Sequence, residues 1–116
     1  MSIERLHSVV QYVDDFERVT AFYRDVLGLA PVELEEGEYA EFSIGDGKSG
    51  NIAIHARHAP TPQSTIFLDV RDIERSVEQL SAKGAKVIQP PKRQPWGATA
   101  KIEDPGGNVI GLFERV

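Results

Sequence analysis

The chain has 116 residues, a formal net charge of −5, 41% apolar and 27% charged side chains, and no cysteine. This length fits one domain with a buried core, and an acidic chain without a Lys/Arg run argues against nucleic-acid binding. The missing cysteines exclude disulfides, cysteine nucleophiles and thiolate metal sites. The N-terminus is charged where an export signal is apolar, and no apolar run approaches the roughly 20 residues that cross a bilayer. We therefore expect a cytoplasmic protein that does not bind membranes.

The first half of the chain has the pattern of a strand, a helix and three further strands. The valine-rich segment from Leu6 to Val13 predicts the strand, and Asp14 and Asp15 are candidate N-caps for the helix. Gly28 is suited to end this helix, whose apolar residues recur at helical spacing: Phe16, Val19, Phe22, Tyr23, Val26 and Leu27. The three further strands are predicted at 31–35, 39–44 and 51–56.

The second half repeats this order after a linker at 58–63. A strand is predicted at 65–70, followed by a helix that Asp72 caps and Gly84 ends. A strand at 85–89 comes next, and then a proline-rich loop at 90–97 that holds the only tryptophan. The last two strands are predicted at 98–103 and 108–114, joined by the turn 104–107.

The restart is visible as identical residues at a fixed offset of 57. This offset relates Val70, Asp72, Glu74 and Arg75 to Val13, Asp15, Glu17 and Arg18, and Gly107 and Asn108 to Gly50 and Asn51. Six identities in matching structural places indicate an internal duplication. The alternative is that two unrelated α/β units share such turn and cap residues.

Two segments resemble a known family. The run Val13 to Leu29, with its Phe-Tyr-x-x-Val-Leu-Gly signature, and the Asp-Pro-Gly-Gly-Asn ending from Asp104 to Glu114 are similar to the vicinal oxygen chelate superfamily. That superfamily includes glyoxalase I, bleomycin-resistance proteins and extradiol dioxygenases. The resemblance implies an α+β fold in which two tandem βαβββ modules form an incompletely closed eight-stranded barrel with helices on the outer face. It also implies one domain over 1–116, with module one at about 1–57 and module two at about 64–116, and a homodimer.

The resemblance also says which positions would hold a metal. In metal-dependent members the ligands lie at equivalent strand positions of both modules. Fourteen residues before Phe22 stands Ser8, and its counterpart in module two is Thr65. On the last strand the position falls on Gly111, whose counterpart at the same offset is Ile54. These side chains do not supply the imidazole or carboxylate that a divalent first-row metal needs, so we expect neither a metal nor another cofactor.

The histidines are a weak metal signal, because they lack helical spacing and a matching carboxylate. His7 is next to Ser8 and His55 is next to Ile54. Since strand side chains alternate faces, both histidines are expected on the outer face, unless a one-residue bulge reverses the order. His58, in the linker, is expected to be solvated.

The concave face of the predicted barrel would be apolar with a few polar groups, as small-molecule pockets are. The alternative is that the same side chains simply fill a small barrel. The residues predicted to bind the ligand are Ser8, Val10, Tyr12, Tyr39, Ile54, Thr65, Phe67, Asp69, Trp96, Gly111 and Phe113.

Trp96 and Asp69 are the most specific of these candidates. In similar members a Trp-Gly loop borders the ligand cavity, so Trp96 would either stack on a planar ligand or anchor its own loop. Tyr39 is the candidate for the equivalent place in module one. An inward Asp69 could act as a general base or bind a cation, because an apolar cavity raises the pKa of an acid. The alternative places Asp69 at the strand end in water, and Glu41 and Lys101 are expected to be solvated.

We therefore expect a stand-alone protein that binds a small organic ligand without a metal, for sequestration or resistance. The acidic net charge mildly favours cationic ligands. The alternative is a glyoxalase-like lyase, isomerase or dioxygenase that uses a metal or another acid–base group. A non-catalytic accessory domain is a third reading, which a chain of complete modules starting at methionine disfavours.

Overall fold

The computed structural model describes residues 3–60, 64–105 and 107–116. Residues 61–63 of the predicted linker and Gly106 of the predicted turn lie outside the described residues. The elements in the first half are β1 (Ile3–Val13), α1 (Phe16–Ala21), a π-helical turn (Phe22–Val26), β2 (Ala30–Glu35), β3 (Tyr39–Ser43) and β4 (Asn51–Ala56). Those in the second half are β5 (Ser64–Val70), α2 (Ile73–Ala82), β6 (Lys86–Gln94), β7 (Gly97–Glu103) and β8 (Val109–Arg115).

The strands form an eight-stranded mixed sheet with the order β2-β3-β4-β1-β5-β8-β7-β6. β1 pairs with β4 and β5 pairs with β8 in parallel, whereas the β2–β3, β3–β4, β6–β7 and β7–β8 pairs are antiparallel. The order begins at β2 and ends at β6, so the sheet is not closed. The predicted α+β fold with two βαβββ modules is therefore confirmed.

The described residues divide into two compact units. The N-terminal unit contains residues 8–64, and the C-terminal unit contains residues 3–7 together with 65–116. β1 is therefore divided, because its first residues up to His7 belong with the second half of the chain. In each unit we call the strand surface that packs on the helix the helix face, and the opposite surface the far face.

The helix face of the N-terminal unit packs on a short α1. Asp15, rather than Asp14, is the N-cap, and its carboxylate accepts a hydrogen bond from the Arg18 backbone N–H. Phe16 is buried with Ala40, Phe42 and Ile54. The predicted apolar face of this helix is only partly buried, because the chain turns π-helical at Phe22: Tyr23 still packs on this core, whereas Phe22, Val26 and Leu27 are exposed.

The helix face of the C-terminal unit packs on α2, which begins after its N-cap Asp72. Ile73 and Val77 are buried against β5, β7 and β8, where Val70, Ala98, Ala100 and Leu112 complete the core. Burying one large aliphatic side chain is worth about 1.5–3 kcal/mol. Glu114 also holds this helix, because its Oε1 accepts a hydrogen bond of 2.9 Å from the Ile73 backbone N–H.

β6 corrects the prediction of a proline-rich loop at 90–97. The strand runs through Pro90 and Pro91 to Gln94, so only Pro95 and Trp96 remain to connect it to β7. Proline has no N–H to donate and is therefore confined in sheets to edges and bulges. β6 is the last strand of the order, and its pairing with β7 is irregular between Val87 and Lys92.

Neither helix in the described part of the chain has the length and apolar content needed to cross a membrane.

Candidate functional site

Three rings lie against one another in the C-terminal unit, and we call this group the aromatic platform and define it as His7, Trp96 and Phe113. The Trp96 and Phe113 rings are nearly parallel, at 4°, with centroids 6.0 Å apart. The His7 ring centroid lies 4.2 Å from that of Phe113. The Trp96–Phe113 pair is therefore offset-stacked, a geometry that aromatic pairs prefer, whereas the His7 ring is tilted by 34° against that of Phe113. The indole is nevertheless 57% exposed, so the platform presents the Trp96 ring to solvent.

Gly97 allows this stack to form. Gln94 pairs with Gly97, so Trp96 is at the tip of a two-residue hairpin connection. Gly97 has a φ of 145°, and a Cβ there would lie 2.8 Å from Phe113 Cζ and 2.7 Å from the Glu114 carbonyl oxygen. Only glycine therefore lets the phenyl ring lie against the backbone directly after Trp96.

His7 does not lie where the sequence predicted it. Phe113 pairs with Asp69 and Thr99 on the far face of the C-terminal unit, and the His7 ring contacts it there, so the outward orientation is wrong.

Asp69 lies beside the platform as a buried carboxylate between two guanidinium groups. Its side chain is 5% exposed, and Oδ2 accepts from Arg5 Nε at 2.9 Å and from Arg115 Nη2 at 3.1 Å. Oδ1 is buried and has no hydrogen-bond partner in the described residues. The alternative of a solvated acid at the strand end is therefore wrong, and the acid already holds two cations.

Gly111 and Phe67 fill the module-two position at which metal-dependent relatives carry a ligand. The two residues pair across β5 and β8. A Cβ on Gly111 would lie 2.3 Å from Phe67 Cε1, so the phenyl ring occupies the space that a ligating side chain would need. Thr65, the other candidate in this unit, is buried.

The far face of the N-terminal unit carries a hydrogen-bonded polar group. The Tyr39 hydroxyl donates to Glu41 Oε1 at 2.5 Å, and Asn51 Nδ2 donates to Glu41 Oε2 at 2.6 Å. Burial, the Glu41 carboxylate and the more distant Glu33 raise the pKa of Tyr39 above its usual value, so the phenol keeps its proton. Glu41 is therefore a hydrogen-bonded group and not the solvated charge that was predicted.

His55 is on the same far face. It pairs with both Tyr12 and Tyr39, and its ring centroid lies 5.4 Å and 6.0 Å from theirs. Nδ1 lies 2.7 Å from the Ala56 carbonyl oxygen, and a donor Nδ1 leaves a lone pair on Nε2. Nε2 has no hydrogen-bond partner in the part of the chain that the structure describes. The prediction that His55 faces outward is therefore wrong. His58 is exposed, and its Nε2 lies 2.6 Å from Glu38 Oε2.

Ile54 is on the helix face, where it is fully buried against Phe16 and Phe42. The pairing shows why the sequence misplaced it. Val10 pairs with Ala53 as Phe67 pairs with Gly111, so the structural counterpart of Gly111 is Ala53. The offset is 57 between β1 and β5 but 58 between β4 and β8. Ser8 and Val10, which are both buried, and Tyr12 share the far face with Ala53 and His55.

The four ligand positions, corrected for this shift, hold Ser8, Ala53, Thr65 and Gly111. None of these side chains is an imidazole or a carboxylate, and the Phe67 ring fills the space at Gly111. The residues present therefore do not fit the metal of the vicinal oxygen chelate family.

A charged groove of about 800 Å³ lies at the start of α2, outside the far face. Asp72, Glu74 and Glu114 approach one another there closely enough to hold an ion. Arg93 already bridges Glu74 and Glu114, at 2.5 Å and 2.8 Å, and this guanidinium holds the pKa of Glu114 below its usual value. The acidic residues of this groove are thus accounted for by ion pairs and a hydrogen bond that hold the start of α2.

Sequence reasoning missed several of these residues. Arg5 and Arg115 stand near the chain ends and give no pattern, because their shared partner is 64 and 46 residues away. Asn51 is a repeat residue, but its hydrogen bond to Glu41 is a cross-strand contact. Strand alternation from a correct β4 register would have found His55.

The comparisons with known proteins agree with this architecture. Residues 5–112 match the model of the glyoxalase/bleomycin resistance protein/dioxygenase superfamily. The chain is 31% identical to a probable lactoylglutathione lyase of Synechocystis, over 94% of this chain and 93% of that protein. It is 32% identical to the uncharacterized protein YraH of Bacillus subtilis, over 90% and 93%.

Among solved structures, methylmalonyl-CoA epimerase from Mycobacterium tuberculosis superposes with a TM-score of 0.80 at 19% identity, over 98% of this chain and 89% of that chain. At this identity the likeness concerns the fold alone. The family match covers most of the sequence, and the chain therefore belongs to the glyoxalase/bleomycin resistance protein/dioxygenase superfamily.

Proposed function

We propose that this protein binds a small planar organic ligand on the aromatic platform, without a metal, for sequestration rather than turnover. The observation that carries the proposal is Trp96, an exposed indole at a hairpin tip with one ring stacked behind it. A large aromatic side chain on the surface loses the stabilisation that burial would give it. Its parallel backing by Phe113 holds it flat, as a surface for another ring.

Two further features support binding without a metal. The four family ligand positions carry no metal-binding side chain, and Phe67 occupies the space at one of them. Stacking on a platform needs no reacting group, because affinity comes from apolar area and ring geometry.

Isothermal titration with a planar neutral probe, naphthalene-2-carboxamide, tests this proposal. Trp96→Ala should weaken binding about tenfold, since a stacked pair contributes about 0.5–1.5 kcal/mol beyond its buried area. The matched control is Phe22→Ala, which removes another exposed aromatic ring, 47% exposed, from the N-terminal unit. Equal affinity in both variants, or no binding to wild type, would contradict the proposal.

We also propose a homodimer, as the family resemblance implies. The edge strand β2 supports it, because every residue in this strand is exposed, including Val32 and Leu34. An unpaired strand edge with apolar side chains is a surface that a second copy can cover. Sedimentation should give twice the chain mass of 12.8 kDa, and a single 12.8 kDa species would refute the dimer.

A lyase or isomerase is the second candidate. It is favoured by relatives named lactoylglutathione lyase and by His55, whose Nε2 lone pair lies near the tyrosine rings of the N-terminal unit. Turnover of lactoylglutathione should be assayed with and without added zinc, nickel or manganese. Activity that disappears in His55→Ala would favour this candidate, and inactivity under all conditions would favour binding alone.

A further inference from the structure

We infer that the ligand of the aromatic platform carries a carboxylate, which Arg5 and Arg115 bind beside the rings. This inference rests on the proposed function and specifies the class of ligand. It differs from the expectation drawn from net charge alone, which favours cations.

The strand register places both arginines next to the aromatic platform. Asp69 pairs with Phe113 across β5 and β8, and Arg115 pairs with Gly97 across β7 and β8. Arg115 is therefore two residues beyond Phe113 on the same strand face and opposite the glycine that follows Trp96. A ring stacked on the platform would have these guanidinium groups at its margin.

Arg5 and Arg115 together carry more charge than Asp69 neutralises. Two guanidinium groups share one carboxylate oxygen, so the cluster keeps an excess positive charge. Each arginine uses one nitrogen on Asp69, and the remaining nitrogens have no acceptor in the described residues. The side chains are 52% and 56% exposed. Free, oriented guanidinium N–H groups match the geometry of a carboxylate.

Asp69 has one oxygen that the two arginines leave without a hydrogen bond. Its Oδ1 is buried without a hydrogen bond, and a buried acceptor left without a partner costs about 1–3 kcal/mol. An acid serving stability alone would have both oxygens satisfied. Asp69 is better understood as a positioning residue, which fixes the two guanidinium groups before the ligand arrives.

The test compares naphthalene-2-carboxylate with the neutral naphthalene-2-carboxamide, which has the same rings. Binding is followed by the fluorescence of Trp96, the only tryptophan. Wild type should bind the carboxylate about tenfold more tightly, and added salt should narrow this gap, because the guanidinium groups are partly exposed. Arg115→Gln and Arg5→Gln should each reduce the gap severalfold, because each removes one of the two guanidinium groups that would bind the carboxylate.

The matched control is Arg71→Gln, which removes an exposed arginine of the same unit that pairs with Glu4 and should leave both affinities unchanged. Equal wild-type affinity for the two probes would overturn the carboxylate inference while the binding function stands. An unchanged gap in both Arg115→Gln and Arg5→Gln would also overturn it. Failure of wild type to bind either probe would overturn both the function and the inference.

Discussion

In the C-terminal unit the far face presents stacked rings beside two arginines, whereas in the N-terminal unit it presents tyrosine and histidine rings beside acids. Asp69 is outnumbered by Arg5 and Arg115. On the N-terminal unit, Glu33 pairs with Glu41 and Glu35 pairs with Tyr39, so carboxylates gather there. The two copies repeat one arrangement of strands, but substitutions have given their far faces opposite electrostatic character. The strand arrangement is thus shared between the copies, while the charge of the far face differs between them.

The largest expected effect is on stability, at a residue pair that differs between the copies: Phe67 and Gly111 in the C-terminal unit correspond to Val10 and Ala53 in the N-terminal unit. Gly111→Ala should destabilise the protein by about 1–3 kcal/mol, because its Cβ would lie 2.3 Å from the Phe67 ring. Urea unfolding measures this change. Adding Phe67→Val recreates the Val–Ala pair of the N-terminal unit and should recover most of the loss. A Gly111→Ala variant as stable as wild type would show that Phe67 does not fill this space.

A somewhat smaller effect is expected from Glu114→Gln, which should lower the stability of the fold without changing ligand binding. Glu114→Gln weakens the contacts with Arg93 and the Ile73 N–H and should cost about 1–2 kcal/mol at neutral pH. Because the pKa of Glu114 is lowered in the folded state, its stabilisation is present above the unfolded pKa and is lost as pH falls through the folded pKa. The difference between wild type and variant should therefore shrink in acid.

The control for this variant is Glu74→Gln, which touches the same arginine from a more exposed position and should cost less. Glu74 is in the first turn of α2, and the Glu114 side chain reaches the start of that helix from β8, so naphthalene-2-carboxylate affinity should not change. A loss of affinity in Glu114→Gln alone would mean that the helix end and the platform are coupled.

The smallest expected effect is on the pKa of Tyr39 in the N-terminal unit, whose far face carries the carboxylates and which we call the acidic copy. Because burial and Glu41 raise the pKa of Tyr39, ultraviolet titration should show a phenol that stays protonated at pH values where an ordinary tyrosine ionises. Tyr39→Phe should remove this phase. Glu41→Gln should move it to lower pH, since it removes the negative charge that opposes ionisation. A titration unaffected by Glu41→Gln would mean that the carboxylate does not act on Tyr39.

Much of the fold is predictable because its signals are local. Asp72 caps a helix as its sequence position suggests, and strand alternation predicts β4 from 51 to 56 as observed. Ile54 was misplaced because the second module has one residue more between its first and last strands than the first module, so the offset is 57 at β1 and β5 but 58 at β4 and β8. A one-residue slip reverses the face of every side chain of a strand. Arg5 and Arg115 were invisible because a contact between distant strands leaves no mark in the spacing of either.

The most direct test of ligand binding on the aromatic platform is to find which of the two copies holds the ligand. Two-dimensional NMR with naphthalene-2-carboxylate follows the indole N–H of Trp96 and the ring of Phe113 alongside the rings of Tyr12, Tyr39 and His55. We predict that the carboxylate strongly shifts the resonances of Trp96 and Phe113 and leaves those of the N-terminal rings unchanged. Shifts confined to Tyr12, Tyr39 and His55 would contradict it and would move the binding site to the acidic copy.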